Sequence, residues 1–346
     1  MKKLKKIKLG GIQMKVFGLV LVTIVLVVAA FTAVILNQSG RLTGIVRKTS
    51  QSQQRSITEI SEATMAAVLD TNMAQSTQMQ AAMAQDLFGD AISVVNVIGD
   101  YTGKLFADPD AYPVREVEWP DAAKTGQITA QLLTEEGVDV SDPDVSAQLG
   151  LIGNLIDLML AVYANSNVDS CYVALPSGVM LLVDNHSASK FDDEGNLVPI
   201  PIRERPWYVG AEQHGLYFTD VTSDLFTGST SIMCAIPIYV SGELVAVIGA
   251  DLFLNDISQA INNTARAGSF VCIINQYGHV LFSPETEGVF RVVPAEEARD
   301  LRVAEDPDLA RFITDALASN TDLRLIEVDE ELCYVAGAVI SNVGWA

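Results

Sequence analysis

Three runs fall inside one window of the chain: R-E-R-P-W-Y at Arg203–Tyr208, Y-F-T-D-V-T-S-D-L-F-T-G at Tyr217–Gly228, and C-A-I-P-I-Y-V-S-G-E-L-V-A-V-I-G-A-D-L at Cys234–Leu252. The third is two apolar stretches about Ser241-Gly242, the pattern of a hairpin with a two-residue turn. The strands are expected at Ser231–Val240 and Leu244–Leu252. One sheet would then gather an arginine, two aromatics and a late aspartate. Arg205 offers a planar fork of donors that fits a carboxylate, and Asp251 offers the opposite charge, so the pair can hold the two ends of a zwitterion. Trp207 and Tyr208 would wall such a site, with Asp220 and Thr222 as further candidates on the intervening loop. Asp220 and Asp224 also read as solvated turn residues and rank below Asp251.

Outward from this window, charge is distributed unevenly. The first 36 residues hold six lysines and no acid, so the other 310 carry 16 basic residues against all 43 acids, a net charge of −27. An acidic body of this kind repels nucleic acid and anionic lipid. Val16 to Leu36 is a run of 21 uncharged, mostly apolar residues; as a helix it is about 31 Å long and matches a bilayer core. Lys2, Lys3, Lys5, Lys6, Lys8 and Lys15 precede it, which places residues 1–15 in the cytoplasm and the chain after Leu36 outside. A cleaved signal peptide is the competing reading; its apolar region is about 7–15 residues, so the length favours an uncleaved anchor.

Residues 37–106 read as a stalk helix. From Ile45 to Phe88 there is neither glycine nor proline, enough for about 66 Å of helix. Ile57, Ile60, Thr64, Ala67 and Val68 form a thin seam, continued loosely by Thr71, Ala74 and Gln78, that suits packing against the chain's own domain and a twin copy, with a solvated helix as the alternative. Asp108 to Asp144 is rich in Pro, Asp, Glu and Gly, so irregular structure is expected, with a short helix near Ile128 to Thr134. Leu149, Ile152, Leu155, Ile156, Met159, Leu160 and Tyr163 then recur at the spacing of one core-facing helix. A hairpin follows, Ser170–Leu175 and Val179–Asp184 about Pro176-Ser177-Gly178. The loop Lys190–Asn196, with D-D-E-G-N, lacks the spaced ligands and closing glutamate of a calcium loop and reads as a turn. Asn255 is expected to cap a helix through Ala267 that Gly268 ends.

After Gly268 the pattern repeats. Phe270–Asn275 and Val280–Ser283 copy the earlier hairpin, Asp306-Pro307 starts a helix, and Glu331–Ile340 copies the strand near Ser231. Gly178 to Gly278 is a shift of 100, Cys171 to Cys272 of 101 and Cys234 to Cys333 of 99. Two related lobes in tandem are therefore expected, 107–254 and 255–346. The class is α+β: a transmembrane helix at 16–36, a stalk helix, and two antiparallel-sheet lobes. The four cysteines sit in apolar runs without C-x-x-C spacing, so zinc and thioredoxin chemistry are not expected, and buried free thiols are favoured over bridges.

The order R-x-W-Y, then G-x-D-L at a strand end, resembles the double Cache (dCache) extracellular sensor domains of bacterial transmembrane receptors. The likeness runs from about Val46 to the end. It implies two PAS-like lobes, a membrane-distal ligand pocket lined by Arg205, Trp207, Tyr208 and Asp251, and a small-molecule partner: an amino acid or another small carboxylate or amine. In amino-acid-binding members a tyrosine stands where this chain has Ile200 and another where it has Thr222, which weakens the ammonium side. The second lobe lacks R-P-W-Y and is expected to transmit. In a five-stranded PAS-like sheet the last strand lies next to the first; the second lobe's counterpart of Leu244–Leu252 is not reached, so Phe270–Asn275 is expected to show an open edge. A second span and a cytoplasmic output are implied beyond Ala346, with a PPM-type serine phosphatase favoured over a chemotaxis rod, a histidine kinase or a diguanylate cyclase. A homodimer through the stalk is also expected.

No catalytic set is legible. His186, His214 and His279 stand in loop contexts read as exposed, and there is no P-loop, Rossmann glycine pattern or H-E-x-x-H. Neither cofactor nor metal is expected. A tethered extracellular enzyme and a protein-binding adhesin are the competing classes. Arg205 could instead be tied to Glu204 or Asp220, Trp207 and Tyr208 could be plain core aromatics, and Asp251 could cap the helix after Asn255.

Overall fold

The computed structural model describes residues 11–254, 257, 261 and 269–346. The chain divides into two compact units, Met1–Leu69 and Asp70–Ala346. In the first, helix α1 (Gly11–Ala107) carries an 18-residue stretch of mean hydropathy 3.1, none of it buried. The hydroxyls of Thr23 and Thr32 donate to the carbonyls of Leu19 and Val28 at 2.8 Å, so these two polar side chains of the apolar segment are met inside the helix.

Within the second unit the same helix turns amphipathic. Ala84, Phe88, Ala91, Val95, Ile98, Thr102 and Leu105 are buried at alternating spacings of four and three, one stripe along the helix. That stripe covers one face of a seven-stranded antiparallel sheet. Its strands are β1 (Thr129–Thr134), β2 (Ser170–Ala174), β3 (Val179–Asp184), β4 (Tyr217–Phe218), β5 (Thr222–Ser223), β6 (Thr230–Val240) and β7 (Glu243–Phe253). Their order is β1-β3-β2-β7-β6-β4, with β5 also on β6. Gly99 lets α1 lie close to the sheet, because a Cβ there would stand 2.7 Å from Ile238 and 2.9 Å from Ile236. At the β6–β7 turn Ser241 and Gly242 both have positive φ, 53° and 89°, the conformation a two-residue hairpin demands.

Two expectations for the segment before β2 are corrected. Residues 129–134 form an edge strand rather than a short helix, pairing with β3 from Thr129↔Asp184 to Thr134↔Val179; an open sheet edge overrides the local pattern, and Gln131, Leu132 and Leu133 are buried by it. The single helix expected through Leu149–Tyr163 is two, α2 (Pro143–Ile152) and α3 (Ile156–Ala164), joined by a 3-10 turn at Gly153–Leu155. The break falls at Gly153, where a Cβ would meet the Arg115 carbonyl oxygen at 2.2 Å.

The repeat is visible in the next lobe. Strands β8 (Ile273–Ile274) and β9 (Val280–Phe282) flank Gly278 at φ 82°, the value Gly178 has between β2 and β3. Helix α5 (Pro307–Ala318), capped through Asp306 and following α4 (Pro206–His214), packs Leu309, Phe312, Ile313 and Ala316 against Ile274, Val280 and Ile326. The single sheet expected here is not found among the described residues: β8–β9 and the pair β10 (Arg324–Val328) with β11 (Glu331–Val335) are separate two-stranded ladders. In the first sheet β7 joins the two halves, pairing with β2 on one side and β6 on the other. The corresponding edge, expected to be open, is met at Ile274, which exchanges both backbone hydrogen bonds with Ala346. The helix expected at Asn255–Ala267 lies outside the described residues, apart from the buried Ile257 and Ile261.

The strand order fixes the thiols. Cys171 on β2 and Cys234 on β6 both pair with Ala250, from opposite sides of β7, so they stand two strand spacings, about 9.5 Å, apart and beyond disulfide reach. Burial drives both thiol pKa values well up, and that of Cys272 to about 12. Thiol titration of the unfolded protein is therefore expected to count four groups, with Cys171 and Cys234 unreactive before unfolding; a count of two, with Cys171 and Cys234 the missing pair, would reveal a bridge the strand order forbids.

Candidate functional site

The face of the sheet away from α1 carries the site. Parity decides which residues lie there. Along β2, Cys171 and Val173 belong to the core under α1, whereas Tyr172 and Ala174 belong to a second core with Trp207 and Tyr208. Along β7 the alternation gives Ile248 and Ala250 to α1 and Val247, Gly249 and Asp251 to the other side. Asp251 is directly opposite Ser170 on β2 and Met233 on β6, and Gly249 is opposite Tyr172.

Gly249 explains the glycine of G-A-D-L. A Cβ there would stand 2.1 Å from the Tyr172 ring. The glycine thus leaves room for Tyr172 to lie across β7, where its hydroxyl donates to Asp251 Oδ1 at 2.9 Å while Ser170 Oγ donates to Oδ2 at 2.6 Å. Burial, followed by the charges of Asp251, drives the Tyr172 pKa well up, so it remains a donor at any physiological pH. Asp251 is 5 % exposed. Desolvation by burial is the main cause of its raised pKa, with the Asp224 charge in the same direction, and the two hydroxyls and Arg205 only partly oppose them; the result is about 6.

Arg205 precedes Pro206, which holds it extended at φ −67°, ψ 141°, and makes it the N-cap residue of α4. Its carbonyl accepts from the Tyr208 and Val209 amides at 3.0 and 3.1 Å, which fixes the backbone and leaves the side chain free to turn inward. Neither tether weighed for it from sequence is present: Arg203, not Arg205, pairs with Glu135, and Asp220 bonds elsewhere. The buried Arg205 Nε has no acceptor. Trp207 packs on Tyr172 with ring centroids 4.7 Å apart.

Arg205, Trp207 and Asp251 come together on the wall of one cleft with Ser170, Tyr172 and Ile200. The unfilled space is about 470 Å³ including the mouth, of which about 30 Å³ is wide enough for the centre of a water molecule. Three candidates lie off this wall. Tyr208 is buried beside Trp207, ring centroids 5.7 Å apart, and burial pushes its hydroxyl pKa up to about 12. Thr222 is paired with Ser231 at the sheet edge. Asp220 accepts from Asn275 Nδ2 and faces His279 Nδ1 at 3.2 Å, joining the first lobe to the β8–β9 hairpin of the second.

The cleft also gathers residues the motif reading passed over. Asp224 is the turn residue it was read as, accepting from Phe226 N, Thr227 N and Thr227 Oγ1 at 3.2, 2.7 and 2.6 Å, yet it lines the cleft as well. His186, read as exposed, is half-buried on the same wall, and His279 is half-buried at its contact with Asp220. Lys190 and Asp184 form an ion pair at 2.6 Å with side chains only 2 % and 4 % exposed. Strand parity was the available signal for Asp184, which follows Met180 and Leu182 on the site face; nothing local marks Lys190. The turn after it is as read, with Asp192 Oδ1 accepting from Glu194 N and Asn196 N. Among the described residues no three His, Cys, Asp or Glu side chains are grouped to hold a metal ion.

No protein-family model matches the chain. Among solved structures it is similar to the extracellular domain of a protein assigned as a histidine kinase, soHK1S-Z6, at 15 % identity over 82 % of this chain and 94 % of that one, TM-score 0.53. It is also similar to the periplasmic sensory domain of the Campylobacter jejuni chemoreceptor Tlp1, at 14 % identity over 78 % and 89 %, TM-score 0.50. The fold is that of the Cache-type sensory domains of chemoreceptors and histidine kinases.

A buried carboxyl whose pKa is raised on folding contributes stability below its unfolded value near 3.8 and loses it as pH rises through about 6. Asp251→Asn is therefore expected to raise the melting temperature of the ligand-free protein at pH 7.5 and to lose that gain at pH 5, where the parent carboxyl is already largely protonated. Equal shifts at both pH values would show that Asp251 is not held uncomfortably charged.

Proposed function

We propose that this chain is the extracellular ligand-sensing region of a transmembrane receptor, anchored by the apolar start of α1, and that the cleft takes a small molecule carrying both a carboxylate and an amine. The observation that carries this reading is the Arg205 guanidinium, with Nε buried and no acceptor, on a wall that also bears the Asp251 and Asp224 carboxylates. A guanidinium fork left unmet in protein suits a ligand carboxylate. The carboxylates suit the amine and disfavour a plain anion. Leu225, Phe226 and Thr227 line the cleft beside them, so a ligand would have to part this loop from the sheet and settle it in a new position. Asp220, four residues before Asp224, ties the same segment to Asn275 and His279, which gives a route for that movement into the second lobe.

The region present is read as a sensor without catalysis of its own, its output being a PPM-type serine phosphatase by the family resemblance. A homodimer through the stalk is part of the same reading, supported by the exposure of Ile57, Ile60 and Val68. Reading the gene downstream of Ala346 tests the output.

The cleft is tested with a thermal-shift screen of small amines, carboxylates and amino acids on the full chain in detergent, followed by calorimetry. Truncating one member of a desolvated charge pair costs about 2–5 kcal/mol, roughly 30- to 4,000-fold in affinity, so Arg205→Ala is expected to remove measurable binding. Arg205→Lys should lose much of it, since an ammonium cannot reproduce the fork. Recovery of the ligand chemically unchanged separates a receptor from an enzyme. A folded Arg205→Ala protein that binds the ligand as tightly as the parent would show that the arginine is structural.

A further inference from the structure

We infer that Lys190 is a second anion-binding point in this cleft and that the ligand class is an amino acid with a second carboxylate in its side chain. The inference rests on the ligand-binding reading of the cleft and goes beyond it by naming what meets the ligand's far end. An ammonium has three N–H donors. Lys190 spends one on Asp184 Oδ2 at 2.6 Å, and its other contact is the Phe226 ring face, 4.1 Å from Nζ to the centroid. Two donors on a side chain only 2 % exposed are therefore without an oxygen acceptor, with the Phe226 ring as their other neighbour, on a cleft wall that Lys190 itself lines.

Most acceptors on the same wall are already engaged. Asp184 takes Lys190 on Oδ2, and on Oδ1 it takes Gln131 Nε2 at 2.7 Å and the His186 amide at 3.1 Å. Asp251 takes two hydroxyls, and Asp224 takes three donors from its own turn, all on Oδ1, which leaves its Oδ2 to meet the ligand amine. Asp169, also on the wall, accepts from the Phe253 amide at 2.6 Å. The unmet donor capacity of the wall is at Arg205 and at Lys190, and a buried donor without an acceptor is what a ligand oxygen relieves. One carboxylate satisfies Arg205. A second carboxylate at Lys190 would share the ammonium with Asp184 and displace the Phe226 ring, a residue of the loop that bears Asp224. An apolar side chain leaves both donors unmet, and an amide meets them only with a neutral carbonyl oxygen, a weaker partner than a carboxylate.

The test compares acids with their amides at two chain lengths: L-aspartate with L-asparagine, and L-glutamate with L-glutamine, by calorimetry on the full chain in detergent. Because charge-assisted hydrogen bonds are the stronger ones, one acid is expected to bind about tenfold or more tighter than its amide. Lys190→Gln alone would strand the buried Asp184 carboxylate, so the pair is neutralised together as Lys190→Gln with Asp184→Asn, and in a second, apolar version as Lys190→Met with Asp184→Leu. In whichever folds, the acid-to-amide ratio should fall to about one. Amides binding as tightly as acids in the parent, or a ratio that survives removal of the lysine, overturns the inference and leaves the ligand cleft standing. If none of the four binds while the screen yields another ligand sensitive to Arg205→Ala, the inference alone fails; if no ligand at all depends on Arg205, the cleft reading falls with it.

Discussion

The first lobe is organised around a carboxylate placed where water does not reach it. Asp251 sits near the end of the central strand of a sheet covered on its other face by α1, and its desolvation is only partly offset by the hydroxyls of Ser170 and Tyr172. Several features follow from that placement. Gly249 must lack a side chain so that Tyr172 can cross β7, and Tyr172 in turn provides the surface on which Trp207 packs. Pro206 sets the backbone that lets the Arg205 guanidinium reach the same wall. A hydrophobic substitute at position 251 would pack more comfortably; retaining a charge there keeps free energy available for whatever compensates it.

The wall's electrostatics are divided between two kinds of ion. Lys190 and Asp184 compensate each other at contact distance, whereas Arg205 and Asp251 line the same cleft with no mutual hydrogen bond and different degrees of solvation. The first pair is part of the folded framework, because either partner alone would be a buried unpaired charge. The second pair has no such mutual compensation, and in the proposed reading it is a ligand that supplies it, with Lys190 adding its spare donors. Such a division lets one small cleft be both rigid enough to keep its shape and polar enough to discriminate.

Sequence legibility followed the range of the interactions. The β2–β3 and β6–β7 hairpins and the Asp306 cap rest on local turn chemistry and alternation and are where expected, whereas the strands marked by the near-100-residue repeat are shorter than read: Ile273–Ile274 within Phe270–Asn275, and Glu331–Val335 within Glu331–Ile340. Arg205, Trp207 and Asp251, singled out by their order along the chain together with the family resemblance, do share one cleft wall. What depended on distant partners was not readable. Thr129–Thr134 became a strand because β3 offered an edge, Gly153 broke a helix because the Arg115 carbonyl approaches it, and the two half-sheets of the second lobe are not joined as the repeat implied. Lys190 sits in a segment with no marker of burial; only the fold brings it beneath Phe226 and against Asp184.

The contact of Asp220 with Asn275 and His279 would make the affinity of a ligand-binding cleft a property of both lobes. Thermodynamic coupling runs in both directions with equal magnitude. If ligand entry shifts the segment carrying Asp220, then any constraint on the β8–β9 hairpin must shift ligand occupancy by the same free energy. The dose at which such a sensor responds is therefore not written in its pocket alone. Chains with identical residues around the cleft can be set to different ambient concentrations by changes made in the other lobe, leaving chemical selectivity untouched while the threshold moves.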